Sequence, residues 1–136
     1  RKAIPKAGTW QSSEAGWRFA DGFEPLEGVF VIEGRTGASS FSGGNLESFL
    51  RANDITQLFL AGYALHVCVE STLRDAHDRA YDAIVLPEAT SAFTATQRGH
   101  VLEHVVHHFG ATMENDEFIR WLGNESRETS LTATER

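Results

Sequence analysis

Short apolar runs alternate with stretches of helical period along this chain, and that alternation constrains the fold more than any single residue does. The runs "GVFVIEG" (28–34), "ITQLFLAG" (55–62) and "AIVLPEAT" (83–90) are rich in β-branched and aromatic residues and read as strands, the last halted by Pro87. Between the first two, "NLESFLRAND" puts Leu46, Phe49 and Leu50 on one helical face, with Asn45 in position for an N-cap. "VCVESTLRDAHDRAYD" places Val69, Leu73, Ala76 and Ala80 at helical spacing. "TQRGHVLEHVVHHFG" reads as one helix closed by Gly110 at its C′ position, and "ATMENDEFIRWLG" as a short strand and a last helix. Strands apolar on both faces, joined by helices, belong in a parallel sheet with helices against it. The expected class is α/β, a three-layer Rossmann-like fold.

A chain of 136 residues suits one domain, expected over residues 1–123 with a polar, frayed tail at 124–136. The first 25 residues have neither period and are expected to wrap a core supplied elsewhere. Net charge is −7 without a basic stripe, which argues against nucleic-acid phosphates as a partner. The apolar runs are too short to span a bilayer, so no membrane partner is expected. The single cysteine cannot form an internal disulfide and no signal peptide is visible, which points to a reducing cytoplasm.

In parallel sheets, ligands bind outside the carboxyl ends of strands, in strand-to-helix loops. Residues 34–44, 62–67 and 87–96 qualify, and Cys68 lies where the second of these becomes a helix. A lone cysteine is often a small buried hydrophobe. Here Gly62 ends a strand and six residues later the thiol meets a helix start. Unpaired N–H groups and the positive end of the dipole favour a thiolate there, and the same N–H groups can hold an oxyanion.

The stretch "AGYALHVCVESTLRDAHDRAYDAIVLPEAT" resembles the core signature of the isochorismatase-like cysteine hydrolases, an α/β superfamily that includes nicotinamidases and other small-amide hydrolases. Gly62, Cys68, Val69, Glu70, Thr72, Arg74, Asp75, Ala76 and Tyr81 fall in register with it. Upstream, "VIEGRTGASSFSGGNLESFLRANDITQLFLAG" is similar to the segment leading into that core, so the resemblance covers roughly residues 29 to 118. It implies a triad of Asp, Lys and Cys. Cys68 takes the nucleophile position and Arg35 stands at the Lys position, keeping a positive charge but not an ammonium's ability to shuttle a proton. The Asp belongs to a first strand with no match here, which leads to the expectation of an N-terminally incomplete domain.

The resemblance further implies a cis peptide at Ala64–Leu65, aiming the Leu65 N–H beside that of Cys68 as oxyanion donors. It puts Phe41 over the substrate as an apolar wall, with Tyr63, Ala64 and His66 at the mouth of the site. Ordinary core packing is the other reading of Phe41. His66 is an acid/base, a carboxylate binder or a loop residue that only touches substrate or a neighbouring subunit. His100, His104 and either His107 or His108 share one helical face, which suits a metal in principle but reads better as a solvated or subunit-facing surface. No cofactor or metal is assigned, since the ligands of the nicotinamidase-type metal site belong to early segments without a match. Trp10, Trp17 and Phe19 would cap the pocket or fill an interface, and Trp121 would pack. The implied function is a cysteine-nucleophile hydrolase of a small amide or related C–N bond, working on a small-molecule substrate as a homo-oligomer. A catalytically inactive binding or assembly homologue and a vinyl ether hydrolase are the alternatives, although members of the latter type tend to lack the cysteine.

Overall fold

The computed structural model describes residues 18–134, with side chains described through residue 124. Trp10 and Trp17 lie outside the described residues. The chain divides between Val31 and Ile32 into two compact units. In the first, residues 18–31 form turns without a helix or strand, tied by Phe23 N–H to Ala20 O and Val29 N–H to Leu26 O. Phe19, Phe23 and Leu26 are exposed.

The second unit runs α1 (Leu46–Ala52), β1 (Gln57–Tyr63), a π-helical turn (Leu65–Val69), α2 (Glu70–Asp78), β2 (Asp82–Ser91), α3 (Ala95–His104), α4 (Val106–Phe109), β3 (Ala111–Thr112) and α5 (Asn115–Thr134). The strands lie in the order β1-β2-β3 and every pairing is parallel, as the apolar-on-both-faces pattern required. Alternation along the strands divides the core. Leu58, Leu60, Ala83 and Val85 join the cluster built with Leu65, Val69, Leu73, Val101, Val105 and Val106 from the helices. Phe59 points to the other face, where its ring meets Phe118 at 4.6 Å and Trp121 at 4.9 Å on α5. Helices therefore cover both faces of the sheet, and Trp121 packs as expected.

Several local expectations give way to tertiary context. Residues 28–34 pair with no strand among the described residues, because β propensity without a neighbouring ladder does not make a strand. Pro87 does not end its strand: β2 runs on to Ser91. The register jumps from Leu60↔Val85 to Gly62↔Thr90, so Ala61 faces four residues, Leu86–Ala89. Proline, with no N–H to give a ladder, sits inside that irregularity. Its carbonyl instead accepts from Arg98 Nη2 at 2.9 Å and Thr90 Oγ1 at 2.8 Å.

Asn45 occupies the N-cap position of α1 but makes no side-chain cap; its Oδ1 accepts the Glu33 N–H at 3.0 Å and closes the 34–44 loop. The helix expected over 96–110 is broken at Val105 into α3 and α4, and Thr94 caps α3 by accepting from Gln97 N–H at 3.2 Å. Gly110 has an extended backbone (φ 177°), not a left-handed one. It is glycine for lack of room: a Cβ there would stand 2.1 Å from the Ala83 carbonyl oxygen. Beyond Gly123 the backbone is helical to Thr134.

At the amino ends of β1 and β2, Glu47 receives hydrogen bonds from Arg51 (2.7 Å from Nη2) and from Arg79. The Arg51 hydrogen bond, opposed by some desolvation and aided by the charge of Arg79, holds its carboxyl below the ordinary glutamate value of 4.5. A depressed carboxylate contributes stability above its unfolded pKa and loses it as pH falls through the folded value. Glu47→Gln should therefore lower the denaturant midpoint at pH 7, and this difference should shrink at acid pH, as the carboxyl takes up its proton. A wild-type minus variant gap of equal size at neutral and acid pH would refute the linkage.

Candidate active site

The carboxyl end of β1 builds the site. Gly62 closes the strand at φ +111°, a conformation L side chains rarely adopt, and a cis peptide follows at Tyr63–Ala64. The cis bond is thus one residue earlier than the expected Ala64–Leu65. The chain then enters the π-helical turn, a wider turn that recurs at functional sites. Leu65, fully buried, and Val69 anchor this turn in the core. With those two side chains inward, Cys68 is left half-buried rather than sequestered.

Three N–H groups, of Val67, Cys68 and Val69, converge on the Ala64 carbonyl at 3.0, 3.0 and 3.3 Å. The Cys68 N–H is therefore an intrahelical donor, which corrects its expected role as a free oxyanion donor. The N–H groups of Leu65 and His66, first in the helix, have no intrahelical acceptor by geometry and are the donors the turn leaves over.

On the turn that carries the thiol, His66 sets its ring edge-on to Phe93 at 4.5 Å, and Phe93 lies 5.5 Å from Tyr63. Tyr63 and Phe93 are 65% and 61% exposed, an aromatic rim at the ends of β1 and β2. His66 Nδ1 is buried without a hydrogen-bond partner. Ala64 is buried beneath the rim. Phe93 was hidden within the 87–96 loop in the sequence; the signal was an aromatic residue just before the Thr94 helix cap.

The 34–44 loop is organised by Arg35, whose Nε donates to Gly37 O at 3.0 Å and whose Nη2 donates to Ala38 O. Those two donors are engaged in holding the loop's own carbonyls. The loop is joined to the cysteine turn by Thr72: its hydroxyl donates to Cys68 O at 2.7 Å and accepts the Ser40 N–H at 3.0 Å. Phe41 is buried and stacks on Tyr81 at 5.6 Å, with the Arg79 guanidinium 5.1 Å from its ring centre. Tyr81 follows the end of α2 away from Cys68, so these ring contacts of Phe41 are those of core packing.

Away from the thiol, His100, His104, His107 and His108 are exposed, and among the described residues no cluster of three His, Cys, Asp or Glu could hold a metal ion. A cavity of about 300 Å³ lined by Arg51, Asp54, Thr56, Arg79 and Tyr81 lies at the amino ends of the strands, where the arginines are already paired with Glu47.

The family model of the isochorismatase domain matches residues 1–117. The chain belongs to the isochorismatase domain family. Among curated relatives, a ureidoacrylate amidohydrolase of Methylobacterium radiotolerans is 42% identical over 88 residues, 63% of this chain and 34% of the relative. Another, from Variovorax paradoxus, is 39% identical over 99 residues, 71% of this chain and 38% of the relative. The chain thus spans roughly a third of the length of these curated relatives. Among solved structures, an isochorismatase-like hydrolase from Alkaliphilus metalliredigens superposes with a TM-score of 0.74 at 27% identity, over 81% of this chain and 60% of that one. N-carbamoylsarcosine amidase from Thermoplasma acidophilum gives a TM-score of 0.67 at 29% identity, over 82% and 63%. The expected α/β class and the expected family both hold. Among the described residues no helix is long and apolar enough to cross a membrane.

Proposed function

We propose that this isochorismatase-domain protein is a hydrolase that cleaves a small amide or related C–N bond, with Cys68 as its nucleophile. The observation that carries this reading is the half-buried Cys68 thiol on the turn leaving β1, at the carboxyl end of a parallel sheet. Relatives named for amidohydrolase and amidase activity support it. Cys68 Sγ attacks the substrate carbonyl, and the thiol proton passes to the leaving nitrogen, giving a thioester and a free amine or ammonia. Water then hydrolyses the thioester, releasing the acid and restoring the thiol. The Leu65 N–H is the first candidate for the oxyanion, and the unpartnered His66 Nδ1 is where a polar group of the substrate would be satisfied. Tyr63, Ala64 and Phe93 line the approach, and Arg35 holds the 34–44 loop in shape beside it. The acid/base carboxylate of the family resemblance is assigned to none of the described residues. A reducing cytoplasmic location and homo-oligomeric assembly belong to the same proposal, supported by the single free cysteine and by exposed apolar side chains such as Ile119.

The test is ammonia release by the full-length protein from a panel of small primary amides and ureides. Turnover of at least one is expected. Hydrolysis of a vinyl ether with no amide turned over would select the other reaction, and no turnover at all would select the binding homologue.

A further inference from the structure

Thr72 lies one helical turn beyond Cys68 and is only 5% exposed. It carries one hydroxyl proton and two lone pairs. The proton goes to the Cys68 carbonyl at 2.7 Å, and the Ser40 N–H donates back to the oxygen at 3.0 Å, with Ser40 Oγ 3.4 Å away. One buried oxygen therefore joins two segments 32 residues apart in sequence: the turn that carries the thiol and the loop shaped by Arg35. On the loop side the neighbouring bonds are internal, Phe41 N–H to Ser39 Oγ at 3.1 Å and Thr36 N–H to Ser42 O at 2.8 Å. They shape the loop without tying it to α2. The Thr72 hydroxyl supplies that tie.

We propose that Thr72 is a positioning residue, a hydroxyl clamp that holds the 34–44 loop in register with the Cys68 turn. This rests on the reading of Cys68 as the nucleophile. The hydroxyl acts through Cys68 and the loop without touching the reacting atoms. Valine matches threonine in shape but lacks the hydroxyl, so Thr72→Val removes the clamp while keeping the packing. Thr72→Ser keeps the hydroxyl and loses one methyl.

Three measurements on the full-length protein test it. Amide hydrogen exchange at Ser40 should speed up about tenfold or more in Thr72→Val, beyond the change at core amides such as those of Leu73 and Val85, and stay within about threefold of wild type in Thr72→Ser. With an amide substrate found by the panel above, kcat should fall about tenfold or more in Thr72→Val with KM little changed, because misplacing the nucleophile weakens the transition state. Thr72→Ser should restore most of it. Uniform acceleration of all amides in Thr72→Val, or equal loss of kcat in both variants, would make Thr72 a packing residue and overturn the clamp. Absence of amide turnover in wild type would fail the hydrolase reading alone, since Ser40 exchange reads the clamp without any substrate. If Thr72→Val does not fold, Ser40→Pro, which removes the loop's donor N–H together with the Ser40 hydroxyl and fixes φ there, takes its place in the kinetic comparison, and an unchanged kcat there overturns the proposal.

Discussion

Replacing Cys68 by alanine is expected to reduce amide hydrolysis by about 10³-fold or more while leaving the fold intact. The size of the effect follows from chemistry: without the sulfur no thioester forms, and what survives is the help given by binding and by oriented N–H donors to attack by water. The small effect on stability follows from position. Cys68 is half-buried, and the turn that carries it is held by Leu65 and Val69 in the core and by backbone bonds to the Ala64 carbonyl. Its thiol is not among those anchors, so truncation should change the denaturant midpoint little. Cys68→Ser keeps the size but offers a hydroxyl, a much weaker nucleophile at neutral pH, and should be nearly as inactive. Stoichiometric alkylation of the one cysteine should abolish turnover in the wild type in the same proportion as labelling. Activity retained after complete labelling, or in the alanine variant, would remove Cys68 from the mechanism.

Gly110→Ala is expected to be among the costliest single-methyl additions in the chain, at about 3 kcal/mol or more. No left-handed backbone is involved, since φ is 177°. The cost is steric: the new Cβ would stand 2.1 Å from the Ala83 carbonyl oxygen and 3.0 Å from Leu73 Cδ1. A flexible side chain could swing away, but Ala83 lies in the ladder of the central strand and Leu73 is fully enclosed. Relief requires moving α4 and β3 off the sheet, where Ala111 is registered with Ile84. A fall in melting temperature of about 10 °C or more follows. Gly99→Ala is the control: in α3 its Cβ would make only an ordinary 3.7 Å contact with Glu103 Oε1, and the helix should gain up to about 1 kcal/mol. Equal melting temperatures for the two variants would contradict the packing at Gly110.

Much of the fold was legible because its signals are local and periodic. The apolar runs at 55–62 and 83–90 were strands because their alternate residues meet helices on the two faces of the sheet, and helical spacing at 69–80 marked α2. Failures occurred where pairing or close approach decides the outcome. "GVFVIEG" has a strand's composition but no registered neighbour among the described residues. Pro87 looked like a strand end because its missing N–H matters only where a ladder needs it, and the irregular register there does not. Gly110 looked like a cap because sequence shows the absence of a side chain but not the atom that would collide with one.

For the site, the sequence by itself determined that a thiol follows a strand through a short glycine-initiated connection, in a stretch that resembles the isochorismatase domain. That placement depends on chain order and local geometry alone. Which groups surround the thiol was decided by the tertiary structure. Phe41 and Phe93 are both aromatics in loops near strand ends, yet packing sends the first onto Tyr81 in the core and leaves the second beside His66 at the mouth. Arg35 has its Nε and Nη2 engaged by the carbonyls of its own loop, and Thr72 reaches a residue 32 positions upstream. Contacts between distant segments depend on where the sheet and helices bring their backbones, and one-dimensional spacing carries no measure of that distance.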